Sequence, residues 1–270
     1  PMLITFVGGG NMATALISGL VNPPRAHIRI RVADPNRAAR EHLENTFKVA
    51  TFKDSIEAVE DADVVLLAVK PQIMPMVLDR LKDRVKPGQL ILSIAAGTTI
   101  GMIREHLGGD IDVVRSMPNT PALIGHGITG AVAATSCTEA QRQQASEILM
   151  AAGDVVWLDD ESLMDAVTAI SGTGPAYFFL LAEVLAEAAR EMGLPAETAD
   201  RLASITCFGA GAMLAASPGE AAELRHRVTS PNGTTHAAMT LLDAEGCREL
   251  VKRAANEACR RSRELSGEKK

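Results

Sequence analysis

The first half of the chain alternates short apolar runs with amphipathic stretches of helical period. Five apolar runs predict β-strands, at residues 2–7, 28–33, 63–69, 89–95 and 112–117. Four stretches between them predict α-helices, at residues 11–21, 37–46, 74–85 and 99–107. Several strands are apolar on both faces, which is typical of a parallel sheet that helices cover on both sides. The pattern therefore predicts a doubly wound α/β domain.

The pattern changes after Trp157, where helix follows helix with almost no strand signal. Four longer helices are predicted, at residues 175–192, 196–215, 235–242 and 247–265. They are rich in alanine and carry apolar residues around much of their circumference, which favours packing against a second subunit. A well-buried bundle within one chain is the alternative. We therefore expect two domains, an α/β domain at residues 1–158 and an all-α domain at residues 159–270.

Composition narrows the class of protein. The net charge is −6 and the pI about 5.6, which argues against a nucleic-acid partner. The four cysteines form no CxxC pair, and the six histidines have no metal-ligand spacing, so we expect reduced thiols and no metal site. The first apolar run is too short for a signal peptide or a membrane span. We expect a cytoplasmic protein that has no membrane partner.

The strongest local motif is a glycine-rich turn between the first strand and the first helix. Its GxGxxA pattern consists of Gly8, Gly10, Asn11, Met12 and Ala13. Gly8 allows a tight turn, Gly10 lets the backbone approach a pyrophosphate, and Ala13 lets the helix pack close to the strand. The free N–H groups and the dipole of the helix then attract the phosphates. A turn without a ligand is the alternative, but this location favours a Rossmann-type dinucleotide-binding domain.

The end of the second strand is where such a domain distinguishes NADH from NADPH. Asp34 suits the ribose 2′-OH of NADH, whereas Asn36 and Arg37 suit the 2′-phosphate of NADPH. Asp34 is equally typical of an Asp-Pro turn that faces water. Both cofactors stay open, and the reach of Arg37 favours NADPH.

Further cofactor contacts are expected where other strands end, because ligands of doubly wound sheets lie beyond the carboxyl ends of the strands. These candidates are Ala68, Val69, Lys70, Pro71, Ala95, Ala96, Gly97 and Asn119. Small residues let ribose and nicotinamide lie against the backbone, and the amide of Asn119 suits the carboxamide. Ordinary βα loops are the alternative, and Lys70 is more typical of a solvated side chain than of a catalytic acid.

Two segments rich in glycine and hydroxyl groups interrupt the helical half, SGTGPAY at residues 171–177 and TSPNGTT at residues 229–235. Hydroxyls and glycines before a helix are typical of N-caps. The same arrangement presents several backbone N–H groups to one point, which suits a carboxylate. Spacing alone supports both interpretations equally.

Six segments, taken in order, resemble the pyrroline-5-carboxylate reductase family: GGGNMA, LAVKPQ, SIAAG, MPNTP, SGTGPAY and TSPNGTTHAA. The resemblance runs from residue 3 to about residue 263, and its last segment is the most specific. Two positions depart from the family pattern. Asn232 replaces a usual glycine and tolerates a positive φ better than most residues. Ser55 stands where the family often places an asparagine near the cofactor.

The resemblance implies a Rossmann domain followed by a helical dimerisation domain, with dimers that gather into larger rings such as a decamer. It implies reduction of 1-pyrroline-5-carboxylate to L-proline with NADPH or NADH. Carried over by motif, the substrate carboxylate would be held by Ser230, Gly233, Thr234 and Thr235. Thr235, or a water molecule in its place, would hydrogen-bond the ring nitrogen or relay a proton. In the family this loop comes from the partner subunit, so the monomer is expected to be inactive.

The implied chemistry needs positioning more than acid catalysis, because a protonated cyclic imine is already a strong electrophile. The sequence contains no conventional catalytic dyad, which is consistent with this mechanism. A β-hydroxyacid dehydrogenase of similar layout would need a lysine in the helical half, and residues 160–246 contain none. A nucleotide-sensing module without turnover is the other alternative, which the TSPNGTT loop disfavours.

Overall fold

The computed structural model describes residues 1–267, and within them eight strands form one sheet. In chain order the strands are β1 (Met2–Val7), β2 (Ile28–Ala33), β3 (Ala50–Phe52), β4 (Val64–Leu67), β5 (Leu90–Ser93), β6 (Asp112–Met117), β7 (Gly127–Ala133) and β8 (Gly153–Leu158). Their order across the sheet is β3-β2-β1-β4-β5-β6-β7-β8. The direction of chain progression reverses between β1 and β4, which is where Rossmann-type sheets bind their ligand.

The α-helices of the described residues are numbered in chain order. They are α1 (Asn11–Val21), α2 (Arg37–Phe47), α3 (Ser55–Ala58), α4 (Met74–Leu81), α5 (Ile100–Leu107), α6 (Glu139–Leu149), α7 (Met164–Val167), α8 (Gly174–Glu191), α9 (Ala196–Ala216), α10 (Ala221–Arg227), α11 (Thr234–Ala244) and α12 (Cys247–Leu265). The predicted α/β fold followed by an all-α region is confirmed. The predicted helix at residues 74–85 ends early, at Leu81, because the chain then tightens and Arg84 N donates to Leu81 O at 2.9 Å.

The sheet is larger and less uniform than the sequence predicts. Strands β1 to β6 run parallel to one another, β7 runs antiparallel to β6, and β8 runs parallel to β7. The five predicted strands are therefore parallel as expected, and the antiparallel pair involves β7, which the sequence does not predict. The chain between β6 and β7, residues 118–126, is shorter than the dozen residues that a parallel crossover needs, so the next strand returns antiparallel.

Two apolar layers, one on each face of the sheet, hold the fold together. Alternate side chains of β1 pack into different layers, because successive side chains of a strand point to opposite faces of the sheet. Ile4 and Phe6 pack with α1 and α6. Leu3 and Val7 pack with α4 and α5. This two-sided core explains why the strands are apolar on both faces, and it fixes the carboxyl ends of the strands at one edge.

Contacts divide the chain into two compact units, Pro1–Gly172 together with the segment that begins at Cys259, and Thr173–Ala258. In the first unit, Ser262 Oγ on α12 donates to Asp165 Oδ1 at 2.7 Å, and both residues are buried. In the second unit, α8 and α9 pack against each other. The sequence-based boundary between residues 158 and 159 follows the end of β8 and stays a prediction about domains. The last three residues of the predicted second domain, 268–270, lie outside the described residues.

Candidate functional site

A cleft of about 330 Å³ lies in the first unit, at the carboxyl ends of the strands where their order reverses. The glycine turn after β1, the ends of β2 and β4 and one face of α4 form its walls. Predicted cofactor residues that line the cleft are Gly8, Gly10, Asp34, Ser55, Ala68, Val69 and Lys70. The structure therefore brings together residues that are up to 62 positions apart in the sequence.

The glycine turn is shaped for the close approach of an anion. Gly8 has a φ of +105°, and its N–H donates to Ala33 O at 2.8 Å, which fixes the turn against β2. A β-carbon on Gly8 would lie 2.6 Å from Ala68 O, whereas one on Gly10 would meet nothing within 4 Å. Gly10 is the N-cap of α1, which has no side-chain cap and no acidic residue in its first turn. The first-turn N–H groups of Asn11 and its neighbours are thus available to a pyrophosphate, which fits this geometry.

Asp34 is held in the turn that follows β2. Its Oδ2 accepts from Gly9 N at 2.9 Å, and its Oδ1 accepts from Asn36 N at 2.8 Å. The carboxylate therefore joins two turns of the cleft and closes the Asp-Pro turn that the sequence suggests. Each oxygen still has accepting capacity, so these bonds are compatible with a ribose hydroxyl.

The side chains of two residues that are predicted to contact the 2′-phosphate, Asn36 and Arg37, bond to other groups in this structure. The Asn36 side chain caps α2 by accepting from Ala39 N at 3.2 Å. The Arg37 side chain is 84% exposed, and its Nε donates to Glu41 Oε1 at 2.7 Å, one helical turn away. Neither residue is among those that line the cleft.

Two basic residues that sequence reasoning missed do line the cleft, Lys53 and Arg80. Lys53 follows β3, and Arg80 lies on the face of α4 that also presents Val77. Arg80 Nη2 donates to Asp54 Oδ2 at 2.7 Å. The Ile56 N–H, and then the Arg80 guanidinium, hold the pKa of the Asp54 carboxyl below its usual range. Ile73, Val77 and Arg80 recur at helical spacing and therefore share one face of a helix. This spacing could have predicted that they form one wall of the cleft.

The remaining cofactor candidates lie beside the same sheet edge but outside the lining of this cleft. Pro71 begins the short 3₁₀ turn before α4, and the loop with Ala95, Ala96 and Gly97 follows β5. Asn119 Oδ1 accepts from Ile128 N at 2.9 Å, so its amide oxygen ties β7 to the end of β6. The amide nitrogen of Asn119, which has no partner among the described residues, is left for a ligand, and its oxygen can still accept a second hydrogen bond.

The second unit contains a separate open helix N-terminus, at the TSPNGTT loop. Asn232 has a φ of +59°, the conformation that the usual glycine would allow. Gly233 is the N-cap of α11, without a side-chain cap and with no acidic residue in the first turn. Gly233 N donates to Ser230 O at 3.0 Å, which folds the loop over the helix start. The hydroxyls of Thr234 and Thr235 lie in the first turn of α11, where they and the free N–H groups suit a carboxylate.

Comparisons with known proteins now give the class. A family model described as NADP oxidoreductase, coenzyme F420-dependent, matches residues 3–97, and one described as pyrroline-5-carboxylate reductase dimerisation matches residues 161–265. A sheet domain of this kind followed by a helical dimerisation domain makes the chain an oxidoreductase of the NAD(P)-binding class.

The relatives identify the family within that class. The pyrroline-5-carboxylate reductase of Pseudomonas aeruginosa is 48% identical over 97% of this chain and 96% of its own length. That of Haemophilus influenzae is 40% identical over 97% of each. The chain belongs to the pyrroline-5-carboxylate reductase family, whose members catalyse the last step of proline biosynthesis with NAD(P)H.

Solved structures of the same family resemble this chain over almost its whole length. A pyrroline-5-carboxylate reductase from Coxiella burnetii superposes with a TM-score of 0.93 at 38% identity and covers 97% of each chain. The Plasmodium falciparum enzyme, solved with NADP bound, gives a TM-score of 0.84 at 28% identity over 98% of each chain. Both the sheet and the helical region therefore have counterparts in this family.

The helical unit carries the surface that a dimerisation domain needs. Eight large apolar side chains of α8 and α9 are more than half exposed: Phe178, Phe179, Leu180, Leu181, Leu202, Ile205, Phe208 and Met213. Soluble monomers rarely expose so much apolar surface in one region. Together with the dimerisation match, this confirms the prediction that the chain forms an oligomer. The run Glu161–Glu191 has the length and hydropathy of a membrane span, but helices of soluble proteins pass the same test.

Proposed function

We propose that this chain reduces 1-pyrroline-5-carboxylate to L-proline with a hydride from NAD(P)H. The observation that carries the proposal is a pair of open helix N-termini, each preceded by a glycine. The start of α1 at Gly10 suits a pyrophosphate, and the start of α11 at Gly233 suits a carboxylate. The likeness to pyrroline-5-carboxylate reductases over 97% of the chain supports the same assignment.

The sheet domain, residues 1–158, would bind the dinucleotide. The pyrophosphate lies over Gly8 and Gly10, where the first-turn N–H groups of Asn11, Met12 and Ala13 donate to it. Candidates for the adenosine side are Asp34, Asn36, Arg37, Ser55, Ala68, Val69, Lys70 and Pro71. Candidates for the nicotinamide side are Ala95, Ala96, Gly97 and Asn119.

The helical domain, residues 159–270, would bind the substrate. The carboxylate of 1-pyrroline-5-carboxylate accepts hydrogen bonds from the first turn of α11. Its proposed donors are the backbone of Gly233 and the groups of Ser230, Thr234 and Thr235. Among the described residues no hydrogen bond uses the hydroxyl of Thr235, so this hydroxyl is free to reach the ring nitrogen or to relay a proton.

The reaction itself needs little acid catalysis. When bound, the cofactor supplies a hydride from nicotinamide C4 to the carbon of the C=N bond. The electron pair of that bond moves to the ring nitrogen, which already carries its proton. The protein's part is to hold the two rings in reacting geometry, with Thr235 fixing the nitrogen end. The absence of lysine from residues 160–246 fits a mechanism without a strong acid and disfavours a β-hydroxyacid dehydrogenase.

We further propose that the active assembly is a dimer, that the TSPNGTT loop of one subunit completes the site of its partner, and that dimers gather into a ring such as a decamer. The exposed apolar side chains of α8 and α9 support the first step. A cytoplasmic location agrees with free cysteines and with a biosynthetic reaction.

The direct test is cofactor oxidation in the presence of 1-pyrroline-5-carboxylate, followed by the near-ultraviolet absorbance of the reduced nicotinamide. We expect oxidation of NADPH or NADH that depends on the imine, and proline as the product. No oxidation by a protein that still binds the dinucleotide would contradict the substrate and leave the cofactor assignment intact. The matched control is a β-hydroxyacid with NADP⁺, for which no reduction of the cofactor is expected.

A further inference from the structure

The adenosine end of the cleft carries an excess of positive charge. Three residues that line the cleft as a whole are cations, Lys53, Lys70 and Arg80, and one is an acid, Asp34. The Asp34 carboxylate already accepts hydrogen bonds from two backbone N–H groups, which partly offset its negative charge. Arg80 is already paired with Asp54, but a ribose that carries only hydroxyls would leave Lys53 and Lys70 without an anionic partner among the described residues. A phosphate monoester brings almost two negative charges and suits this wall better.

Arg80 is held in place for such a ligand. Its Nη2 donates to Asp54 Oδ2, while Asp54 Oδ1 caps α3 by accepting from Ile56 N at 3.1 Å. The carboxylate therefore anchors the guanidinium at the rim of the cleft. No bond among the described residues uses Arg80 Nη1 or Nε. An arginine with one edge anchored and other donors free is well suited to bind a phosphate.

Lys53 supplies a second cation at the same end. It follows β3 directly, is exposed, and has no ion pair within residues 1–267. Because β3 lies beside β2, Lys53 lies near the end of the strand where a Rossmann-type domain binds the adenosine ribose. Arg37, in contrast, faces solvent with its Nε bonded to Glu41.

We propose that Lys53 and Arg80 bind the 2′-phosphate of NADPH and set a preference for NADPH over NADH. The inference rests on the proposed dinucleotide site but not on the proposed imine substrate. Asp34 then serves to hold the two turns of the cleft rather than to select NADH.

The test uses two adenosine nucleotides that differ only in the 2′-phosphate, 2′,5′-ADP and 5′-AMP, and measures their binding to the whole oligomer by calorimetry. We expect Arg80→Gln and Lys53→Gln each to lower the affinity for 2′,5′-ADP about tenfold or more, because each variant loses one charge-assisted hydrogen bond. The affinity for 5′-AMP should change less than twofold. The control is Arg84→Gln, which removes the same charge one turn further along the chain and outside the cleft. It should leave both affinities unchanged.

Two results would overturn the proposal. The affinity ratio of the two nucleotides could stay at its original value in both variants, and if both affinities fell by the same factor these residues would hold adenosine generally. Alternatively, Arg37→Gln could lower that ratio while Arg80→Gln does not. The Arg80–Asp54 pair is about half exposed, so its loss should cost little stability, and a thermal melt checks that the variant is folded. Because no imine is present, failure of the proposed reaction would not affect the outcome.

Discussion

A matched pair of glycine substitutions separates the binding role of the first turn from its structural role. Gly8 and Gly10 are two residues apart, yet an added β-carbon meets very different surroundings at each. At Gly8 it would lie 2.6 Å from Ala68 O, on a backbone with a φ of +105°. At Gly10 it would meet nothing within 4 Å, and the φ of −76° and ψ of −167° are open to any residue.

The expected magnitudes follow from these surroundings. Gly8→Ala combines an unfavourable φ, about 1–3 kcal/mol, with a forced backbone shift of about 1–3 kcal/mol. For a unit of this size that lowers the melting temperature by at least about 4 °C. Gly10→Ala should cost less, about 0.5–1 kcal/mol, because glycine is a better N-cap than alanine but no atom is displaced. The added β-carbon points into the space where the pyrophosphate must approach. The variant should therefore bind NADPH about tenfold to a hundredfold more weakly, which is the effect of losing one charge-assisted hydrogen bond.

The assay is a thermal melt without ligand at fixed protein concentration, together with a titration followed by NADPH fluorescence. Gly10→Ala should lower the melting temperature less than Gly8→Ala does, and its main effect should be the loss of NADPH affinity. Normal NADPH affinity in Gly10→Ala would refute the placement of the pyrophosphate over this residue. An unchanged melting temperature in Gly8→Ala would refute the steric argument for the turn.

Four further outcomes are expected. Thr235→Ala should lower turnover or raise the substrate KM at least severalfold without changing the dinucleotide Kd, and Thr240→Ala, also on α11, is its kinetic control. Glu161→Ala should destabilise the first unit by about 2 kcal/mol in a thermal melt, because the almost fully buried Arg115 loses its 3.0 Å ion pair. Cys137 should resist alkylation in the native protein and react on unfolding, as judged by mass spectrometry, since burial raises the pKa of its thiol. Phe179→Glu should shift the oligomer towards monomer in size-exclusion chromatography with light scattering.

The parts of the fold and site that depend on local pattern could be predicted from the sequence. The turn at Gly8 and Gly10 was identifiable because strand, glycines and helix are adjacent in the chain. Asn232 illustrates the same point, since its positive φ follows from the glycine that it replaces in the family pattern. Strand β7 was not identifiable, because its sequence GITGAVA has two glycines and its stability comes from pairing with β6 and β8.

The parts that depend on topology could not be predicted. Lys53 and Arg80 are 27 residues apart, and they reach one cleft only because β3 lies at the sheet edge and α4 follows β4. Asn36 shows how one residue can serve two purposes that the sequence does not separate. Its position suggests a phosphate contact, which stays a prediction, and in this structure its side chain caps α2, the ordinary use of asparagine before a helix. Asn119 likewise bonds Ile128 N on a strand that the sequence did not predict.

Two kinds of extended helix start differ in a way that bears on function. In one kind the N-cap side chain accepts from the first turn, and in the other the N-cap is a glycine; Pro195 before α9 belongs to neither kind. Side-chain caps are formed at α2, α3, α5 and α6. Among the described residues the extended glycine N-caps are Gly10 and Gly233, one in each unit, and neither first turn has an acidic residue. Gly246 before α12 differs, because its φ is +76° and Glu249 lies in the first turn of that helix. A helix start without an internal acceptor leaves its N–H groups to an external anion. The two proposed reactants, a dinucleotide and an imino acid, each supply one such anion.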